Sequence, residues 1–257
     1  MKKRFFFLTG LPRTGNTLLS SILNQNKNIK VSPYSIMPEI LNKIDDIKNS
    51  INYKLFPLEK NVNNVLKNAF NNYYKDWSCN YIIDRGPWAT RPNLKILKLI
   101  FDKEIKMIIL RRPLFEVLAS YVNIVKPNNV EKYIDDLISD QSSMIMMNIY
   151  PYINLLKEKN VKYHIIEYED LLNNTKKTIK NLYNFLNIPI FLHYYKNLNQ
   201  FSIDNIKYND KILGNNINFH TIRTDKIQHI RCDYKNILPN SVLKKYKKLS
   251  EEIYKIK

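Results

Sequence analysis

The chain has 257 residues, of which 44% are apolar, so it can form one large α/β domain with its own core. Its 41 lysines and arginines against 23 acidic residues give a net charge of +18, which favours an anionic partner such as a nucleotide, an acidic substrate, a nucleic acid or a membrane surface. Two cysteines are too few for a disulfide framework or a metal cluster, and no apolar stretch approaches the roughly 18 residues of a membrane span, so a cytoplasmic protein is expected.

The first segment is predicted to be a strand followed by a helix. The apolar residues 5–8 favour a buried strand over a signal peptide because the run stops at Thr9–Gly10. From Thr17 to Leu23, apolar residues recur at helical spacing. The turn between the two elements leaves backbone N–H groups at the positive end of the helix dipole, which is typical of a phosphate site.

That turn, GLPRTGNT, holds two of the four glycines of the chain. Gly10 and Gly15 have the spacing of a Walker A motif, but Asn16 stands where that motif has its lysine, which argues against phosphoryl transfer. The cation lies inside the turn instead, at Arg13, and its planar guanidinium suits phosphate or sulfate oxygens. An ordinary tight turn is the alternative. The scarcity of glycine elsewhere in the chain and the short polar side chains of Thr14, Asn16 and Thr17 disfavour it. The predicted anion-binding residues are Gly10, Pro12, Arg13, Thr14, Gly15, Asn16 and Thr17.

The rest of the chain alternates strands and helices. Strands are predicted over 29–33, 81–88, 104–113 and 161–172, and helices over 37–51, 60–74, 93–102, 114–125, 130–158 and 173–188. This alternation predicts a single domain over 1–257 with a three-layer, P-loop-like α/β fold, in which helices flank a mostly parallel sheet. Residues 36–76 are expected to form a helical insertion, and residues 195–257 an irregular C-terminal part.

Four polar side chains follow or end the predicted strands. Arg13, Arg85, Arg112 and Tyr168 each lie at or just past a strand end. Ligands of open parallel sheets bind outside the carboxyl ends of the strands. We therefore expect these side chains to share one edge of the sheet.

Three separated segments resemble motifs of the sulfotransferases that use 3′-phosphoadenylyl sulfate (PAPS). GLPRTGNTLL (10–19) resembles their 5′-phosphosulfate loop. LRRPLFEVLASY (110–121) resembles their 3′-phosphate motif, in which a serine follows an arginine by eight residues. IIEYEDLLNNTKKTIKNLYNFLNI (165–188) resembles a later strand and helix of the family. The chain resembles the tyrosylprotein and bacterial-type branch more than the cytosolic phenol sulfotransferases.

The resemblance implies how the nucleotide would be bound. Arg112 and Ser120 would hold the 3′-phosphate. Arg111 is the neighbouring alternative, because only one of two adjacent strand residues faces a ligand. The ring of Tyr168 would stack near the adenine.

The resemblance also implies catalytic roles for two arginines. Arg13 would stabilise the bridging phosphate oxygen as it becomes anionic, and Arg85 would lie near the transferred sulfuryl group. Arg223 and Arg231, in or near HTIRTDKIQHIR (220–231), would close over the 3′-phosphate or the acceptor.

The catalytic base is left open by the sequence. Asp84 and Glu39 are the nearest carboxylates to the positions where branches of the family carry their base, and His220 is a third candidate. A base must come within hydrogen-bond distance of the acceptor hydroxyl, which a sequence does not reveal.

The resemblance therefore implies an enzyme that moves a sulfuryl group from PAPS to a hydroxyl acceptor (a sugar, a peptide or a small molecule), releases PAP, and uses no metal. The charge of +18 favours an acceptor that is acidic or a glycan, although a solvated basic surface explains it equally well. A P-loop nucleotide kinase or NTPase is one alternative, and it needs a lysine beside Gly15. A basic nucleic-acid-binding protein is the other, and it needs clustered cations with exposed aromatic residues. No specific nucleic-acid partner is expected.

Overall fold

The protein is built on a five-stranded parallel sheet with the order β2-β3-β1-β4-β5. The computed structural model describes residues 3–101, 104–158, 161–214, 217–222, 227 and 232–255. The strands of the sheet are β1 (Arg4–Gly10), β2 (Ile29–Tyr34), β3 (Tyr81–Arg85), β4 (Ile105–Arg111) and β5 (Val161–Glu167). A separate antiparallel hairpin is formed by β6 (Ser202–Ile203) and β7 (Ile206–Lys207).

Helices cover both faces of the sheet, so the predicted three-layer α/β fold with a parallel sheet is confirmed. The helices are α1 (Asn16–Leu23), α2 (Met37–Asp46), α3 (Ile51–Leu55), α4 (Glu59–Tyr73), α5 (Arg91–Ile100), α6 (Leu114–Val125), α7 (Val130–Ser139), α8 (Met146–Leu155), α9 (Tyr168–Asn173), α10 (Thr175–Leu186), α11 (Tyr234–Ile237), α12 (Asn240–Lys245) and α13 (Lys247–Lys255). Short 3₁₀ turns lie at Ile47–Asn49 and Asp210–Leu213.

The central strand β1 connects two apolar cores because successive side chains of a strand point to opposite faces. Phe7 packs in the larger core, with its ring centroid 5.2 Å from that of Trp88. Phe6 and Leu8 belong to the second core, together with residues of α1 and α10. The side chains of Phe6, Phe7 and Leu8 are all buried. Burial of each such side chain contributes roughly 1.5–3 kcal/mol, so this apolar run fixes β1 in the middle of the sheet.

Several predicted elements end earlier than their sequence patterns indicate, and two of them show why. The strand predicted over 161–172 ends at Glu167, and α9 begins at the next residue. Glu169 and Asp170 fall in the first turn of α9, where acidic side chains are favoured by the helix dipole. The helix predicted over 37–51 ends at Asp46, and Ser50 starts α3 by accepting a hydrogen bond from the backbone N–H of Tyr53.

The helix predicted over 130–158 is two helices, α7 and α8. Asp140 follows α7 in an extended conformation, and its carboxylate accepts the backbone N–H of Ser142 at 2.8 Å. Such local side-chain bonds compete with the helical ladder, which explains the break.

The C-terminal part is more ordered than predicted. Most described residues between 195 and 222 have no regular secondary structure, but Leu198, Phe201 and Ile222 are buried in the second core. We call residues 195–214 and 217–222 the covering segment. Beyond it, α11, α12 and α13 replace the irregular structure expected there, and Val242 and Ile253 anchor the last two helices in the larger core.

Candidate active site

The turn between β1 and α1 has a backbone shape that explains its glycines. Gly10, Arg13 and Gly15 have φ values of 136°, 62° and 89°. A Cβ atom at Gly10 would overlap the backbone of Leu110 on the neighbouring strand. A Cβ atom at Gly15 would lie 3.1 Å from Cδ2 of the Tyr168 ring. Both glycines are therefore required by positive φ and by close packing.

The polar side chains of this turn hold its shape. Thr14 Oγ1 donates a hydrogen bond to the carbonyl of Leu11 at 2.7 Å, and Asn16 Nδ2 donates to the same oxygen at 3.2 Å. Both side chains are buried, whereas Pro12 and Thr17 are half-buried. No side chain caps the N-terminus of α1. The first turn of α1 can therefore offer N–H groups to an anion.

Arg13 lies across the turn and contacts two distant segments. Its Nε donates to Ser120 Oγ on α6 at 3.2 Å, and its Nη1 donates to the carbonyl of Phe219. Burial lowers the pKa of Arg13, Tyr121 opposes that effect and Arg112 adds to it. Arginine nevertheless stays charged at neutral pH.

Arg112 joins three of the predicted site elements. Its Nη1 donates to the carbonyl of Arg13 at 3.0 Å, and its Nε donates to Glu116 Oε2 at 3.0 Å. The guanidinium carbon lies 4.2 Å from the centroid of the Tyr168 ring, close enough for a cation–π contact. Only 6% of Arg112 is exposed. The end of β4, the turn between β1 and α1, and the start of α9 thus meet at this side chain.

The side chain of Arg111 contacts β5 and α13. Its Nε donates to Glu167 Oε1 at 2.7 Å, across the register that pairs the two residues in β4 and β5. The guanidinium carbon lies 4.8 Å from the Tyr254 ring of α13. Of the two adjacent arginines, Arg112 is the one whose side chain contacts the loop.

Asp84 is enclosed beneath the end of β3. Its carboxylate accepts hydrogen bonds from Trp88 Nε1 at 3.1 Å, Ser35 Oγ at 3.3 Å and Ser32 Oγ at 3.4 Å, and from the Tyr74 hydroxyl. Burial raises the pKa of Asp84 to about 6, although these hydrogen bonds act in the opposite direction. With none of its surface exposed, Asp84 cannot reach an acceptor hydroxyl. This candidate base is therefore a structural carboxylate.

Arg85, the next residue, points to the covering segment. Its Nη1 donates to the Tyr208 hydroxyl at 2.8 Å. Glu39 is exposed in the first turn of α2. Burial raises the pKa of Tyr34, Arg85 lowers it and Glu39 raises it further, so both charges act on this phenol.

His220 is bound twice by one carboxylate. Its Nδ1 lies 2.5 Å from Asp210 Oδ1, and its backbone N–H donates to Asp210 Oδ2 at 2.9 Å. Its ring stacks on that of Tyr208, with centroids 3.8 Å apart and planes 7° apart. Burial lowers the pKa of His220, the hydrogen bond that its ring donates to Asp210 opposes this, and the charges of Arg85 and Arg13 lower it further.

The sequence analysis missed several partners of the predicted residues. Glu116 follows Arg112 by four residues on a helix, a spacing that could have revealed the pair. Tyr208, Asp210 and Phe219 carry no such signal, because their partners lie far away along the chain or outside regular structure. The two remaining predicted cofactor residues, Arg223 and Arg231, lie outside the described residues.

Within the described ranges, no group of three or more histidine, cysteine, aspartate or glutamate side chains is close enough to hold a metal ion. No helix in the same ranges is both long and apolar enough to cross a membrane.

Comparison with known proteins gives a consistent family. The sulfotransferase family model matches residues 6–192. No significant match is found among curated proteins. The sulfotransferase domain of the Synechococcus PCC 7002 olefin synthase is 17% identical, with a TM-score of 0.54 and coverage of 98% of this chain and 95% of that one.

Two further solved structures are similar. A mouse sulfotransferase complexed with PAP is 12% identical, with a TM-score of 0.54 and coverage of 99% of this chain and 87% of that one. The sulfotransferase domain from the curacin biosynthetic pathway is 19% identical, with a TM-score of 0.46 and coverage of 74% and 76%. At these identities the first two neighbours share the fold with this chain over most of its length.

Proposed function

The chain belongs to the sulfotransferase family, and from that premise we propose that PAPS is its sulfuryl donor, that a hydroxyl group is its acceptor, and that PAP is released. The single observation that carries the proposal is the meeting of Arg13, Arg112 and Ser120 within hydrogen-bond distance. These residues come from the two segments that resemble the 5′-phosphosulfate and 3′-phosphate motifs. The family match favours this reaction over phosphoryl transfer and over nucleic-acid binding.

The charges around the loop fit such a ligand. Within the described ranges, both hydrogen-bond acceptors of Arg13 are neutral, a hydroxyl and a carbonyl. An anionic oxygen is a stronger acceptor for a guanidinium than either of them. Arg112 is engaged through Nε and Nη1, and a guanidinium has five N–H donors, so it retains donors for a phosphate.

The proposed roles follow from where charge develops. As the acceptor oxygen forms its bond to sulfur, the bond from sulfur to the bridging oxygen breaks and its electron pair stays on the 5′-phosphate. Arg13 would stabilise that oxygen, and Arg85 the sulfuryl oxygens. Arg112 and Ser120 would hold the 3′-phosphate, and Tyr168 would lie near the adenine.

The remaining assignments extend this proposal. Arg223 and Arg231 would close over the nucleotide or the acceptor. The whole chain, 1–257, would act as one sulfotransferase domain. A sugar, a peptide or a small molecule with acidic neighbours suits the charge of +18. Added salt should slow transfer to such an acceptor, and an unchanged rate would contradict this preference.

A nucleotide-binding experiment tests the proposal. Thermal shifts and titrations would compare PAP, AMP, ATP and an oligonucleotide. We expect PAP to bind most tightly and Arg112→Ala to remove most of its preference over AMP, because a charge-assisted hydrogen bond contributes about 1.5–3 kcal/mol. Arg111→Ala is the matched control and should keep the preference. Equal affinity of the parent protein for PAP and AMP would overturn the assignment.

A further inference from the structure

The covering segment places a histidine and a carboxylate beside both proposed catalytic arginines. The Phe219 carbonyl accepts a hydrogen bond from Arg13, and His220 is the next residue. Tyr208, whose ring stacks on His220, accepts a hydrogen bond from Arg85 at 2.8 Å. Phe219 therefore connects His220 to Arg13, and Tyr208 connects it to Arg85.

The hydrogen bond between the His220 ring and Asp210 determines which nitrogen of His220 can act. Because the carboxylate accepts from Nδ1 at 2.5 Å, Nδ1 carries the proton and the neutral ring has its lone pair on Nε2. The second bond, from the backbone N–H of His220, fixes the segment relative to the same carboxylate. The imidazole is therefore held in one tautomer and one orientation.

Nε2 remains available in this arrangement. Across the described ranges, no hydrogen-bond partner of His220 Nε2 is found, and 18% of the side chain stays exposed. Among the described residues, the carboxylate of Asp210 and the phenol of Tyr208 contact the ring, and the cations of Arg13 and Arg85 act on it electrostatically. Two cations beside one carboxylate favour the neutral ring, which is the form that accepts a proton.

We propose that His220, oriented by Asp210, is the general base of the sulfuryl transfer. This inference rests on the proposed function. The acceptor O–H bond breaks and its proton moves to Nε2 while the acceptor oxygen bonds to sulfur. The bond from sulfur to the bridging oxygen breaks at the same time, and its electron pair stays on PAP. Asp210 stabilises the resulting imidazolium, which returns the proton to solvent.

The two carboxylates considered as alternatives fit this role less well. Asp84 has no exposed surface and is surrounded by four donors. Glu39 is exposed, and its charge acts on Tyr34. Glu39 is the competitor that the experiment has to separate from His220.

The experiment compares His220→Gln, Asp210→Asn and Glu39→Gln with His164→Gln, a matched control on β5 whose ring stacks on Phe185 away from the site. The probes are PAPS with 4-nitrophenol, 4-methylphenol, N-acetylglucosamine and an acidic tyrosine peptide. Kinetics use whichever probe the parent sulfates fastest, and PAP affinity is titrated in parallel. A parent that binds no PAP or sulfates no probe refutes the proposed function itself rather than the base.

We expect His220→Gln to lower kcat by about 10²–10⁴-fold, the usual contribution of a general base, while PAP affinity stays within about twofold. The decrease of kcat/KM at acidic pH should be absent from the pH profile of His220→Gln. Asp210→Asn should lower kcat less and move that fall to lower pH, since the carboxylate raises the pKa of His220. Added imidazole should restore activity to His220→Ala, which a purely structural role would not allow.

Two results would overturn the inference. One is a kcat of His220→Gln that remains within about threefold of the parent with the acidic fall intact. The other is loss of that fall in Glu39→Gln alone. If His220→Gln does not fold, the shift of the pH profile in Asp210→Asn decides the question.

Discussion

Arg13 and Arg85 lie at the strand ends, and the covering segment contacts both of them. These two regions are built by different physical means. At the strand ends, ladder register positions the side chains, as in the pairing of Leu8 with Arg85. The covering segment contains a short hairpin and a 3₁₀ turn, and three buried apolar side chains hold it to the second core. The sheet thus supplies a fixed set of cations, and the segment brings neutral and acidic groups to them. Changes at the strand ends should alter nucleotide binding and stability, and changes in the segment should alter turnover.

Arg13→Ala breaks this comparison most strongly, because Arg13 follows the end of β1 and its side chain donates to the Phe219 carbonyl of the covering segment. We expect kcat to fall by about 10²–10³-fold, the usual loss for one donor that stabilises developing negative charge, with a smaller loss of PAP affinity. Single-turnover kinetics and PAP titration measure the two effects. Arg4→Ala is the control, because Arg4 lies at the opposite end of β1 and donates to the carbonyls of Asn187 and Leu186. Unchanged turnover with weaker PAP binding would make Arg13 a binding residue only.

Asp84→Ala tests the rigidity of the strand ends. The change leaves the Trp88 N–H and three hydroxyls without their acceptor, so unfolding should become easier by roughly 1–3 kcal/mol or more in urea titrations. We expect the same variant to bind PAP more weakly than the parent protein. Unaltered stability would show that this network is dispensable.

The same variant gives a pH test with a defined sign. The folded-state pKa of Asp84, about 6, lies above the ordinary 3.8, so the protonated form is favoured on folding. Its contribution is complete below pH 3.8 and is lost as the pH rises through about 6. The stability difference between parent and Asp84→Ala should shrink over that window. Asp135→Asn is the control, because the hydrogen bond from Lys245 lowers the pKa of Asp135 and moves its effect to more acidic pH.

Gly15→Ala and Gly214→Ala apply one small change to both regions. Both glycines have positive φ, and a Cβ would lie 3.1 Å from the Tyr168 ring in one case and 3.0 Å from Ile217 Cδ1 in the other. Each variant should lose about 1–2 kcal/mol of stability. Only Gly15→Ala should also weaken PAP binding. Equal effects of both variants on PAP affinity would remove the distinction between the regions.

The strand-end part of the site could be predicted because its signals are local. The apolar run at 5–8 followed by Gly10 and Gly15, and the serine eight residues after Arg112, each lie within a single strand–turn–helix unit. The rule that ligands bind at the carboxyl ends of parallel strands predicted that Arg13 and Arg112 share one edge of the sheet, and the resemblance to the 3′-phosphate motif added Ser120. The extent of the following elements was harder, as the early end of β5 shows.

The covering segment could not be predicted in the same way. Asp210 and His220 are ten residues apart in a polar stretch without periodicity, and their meeting depends on burial of distant apolar residues. The enclosure of Asp84 likewise requires Tyr74 and Trp88, which come from different elements. The helices α12 and α13 were missed because lysines hide the few buried positions, such as Val242 and Ile253.

The strand order has a consequence for how the chain is made. β1 is synthesised first, but its two neighbours in the sheet are β3 and β4, so its first partner residue is Tyr81 and its second strand begins at Ile105. At about 5–20 residues per second, the roughly 75 residues from the end of β1 to the end of β3 take about 4–15 s to synthesise, and both edges of this apolar strand stay unpaired for that time. Unpaired apolar edges are templates for aggregation. The stretch that centres the finished sheet is therefore the part of the nascent chain that most needs protection by chaperones.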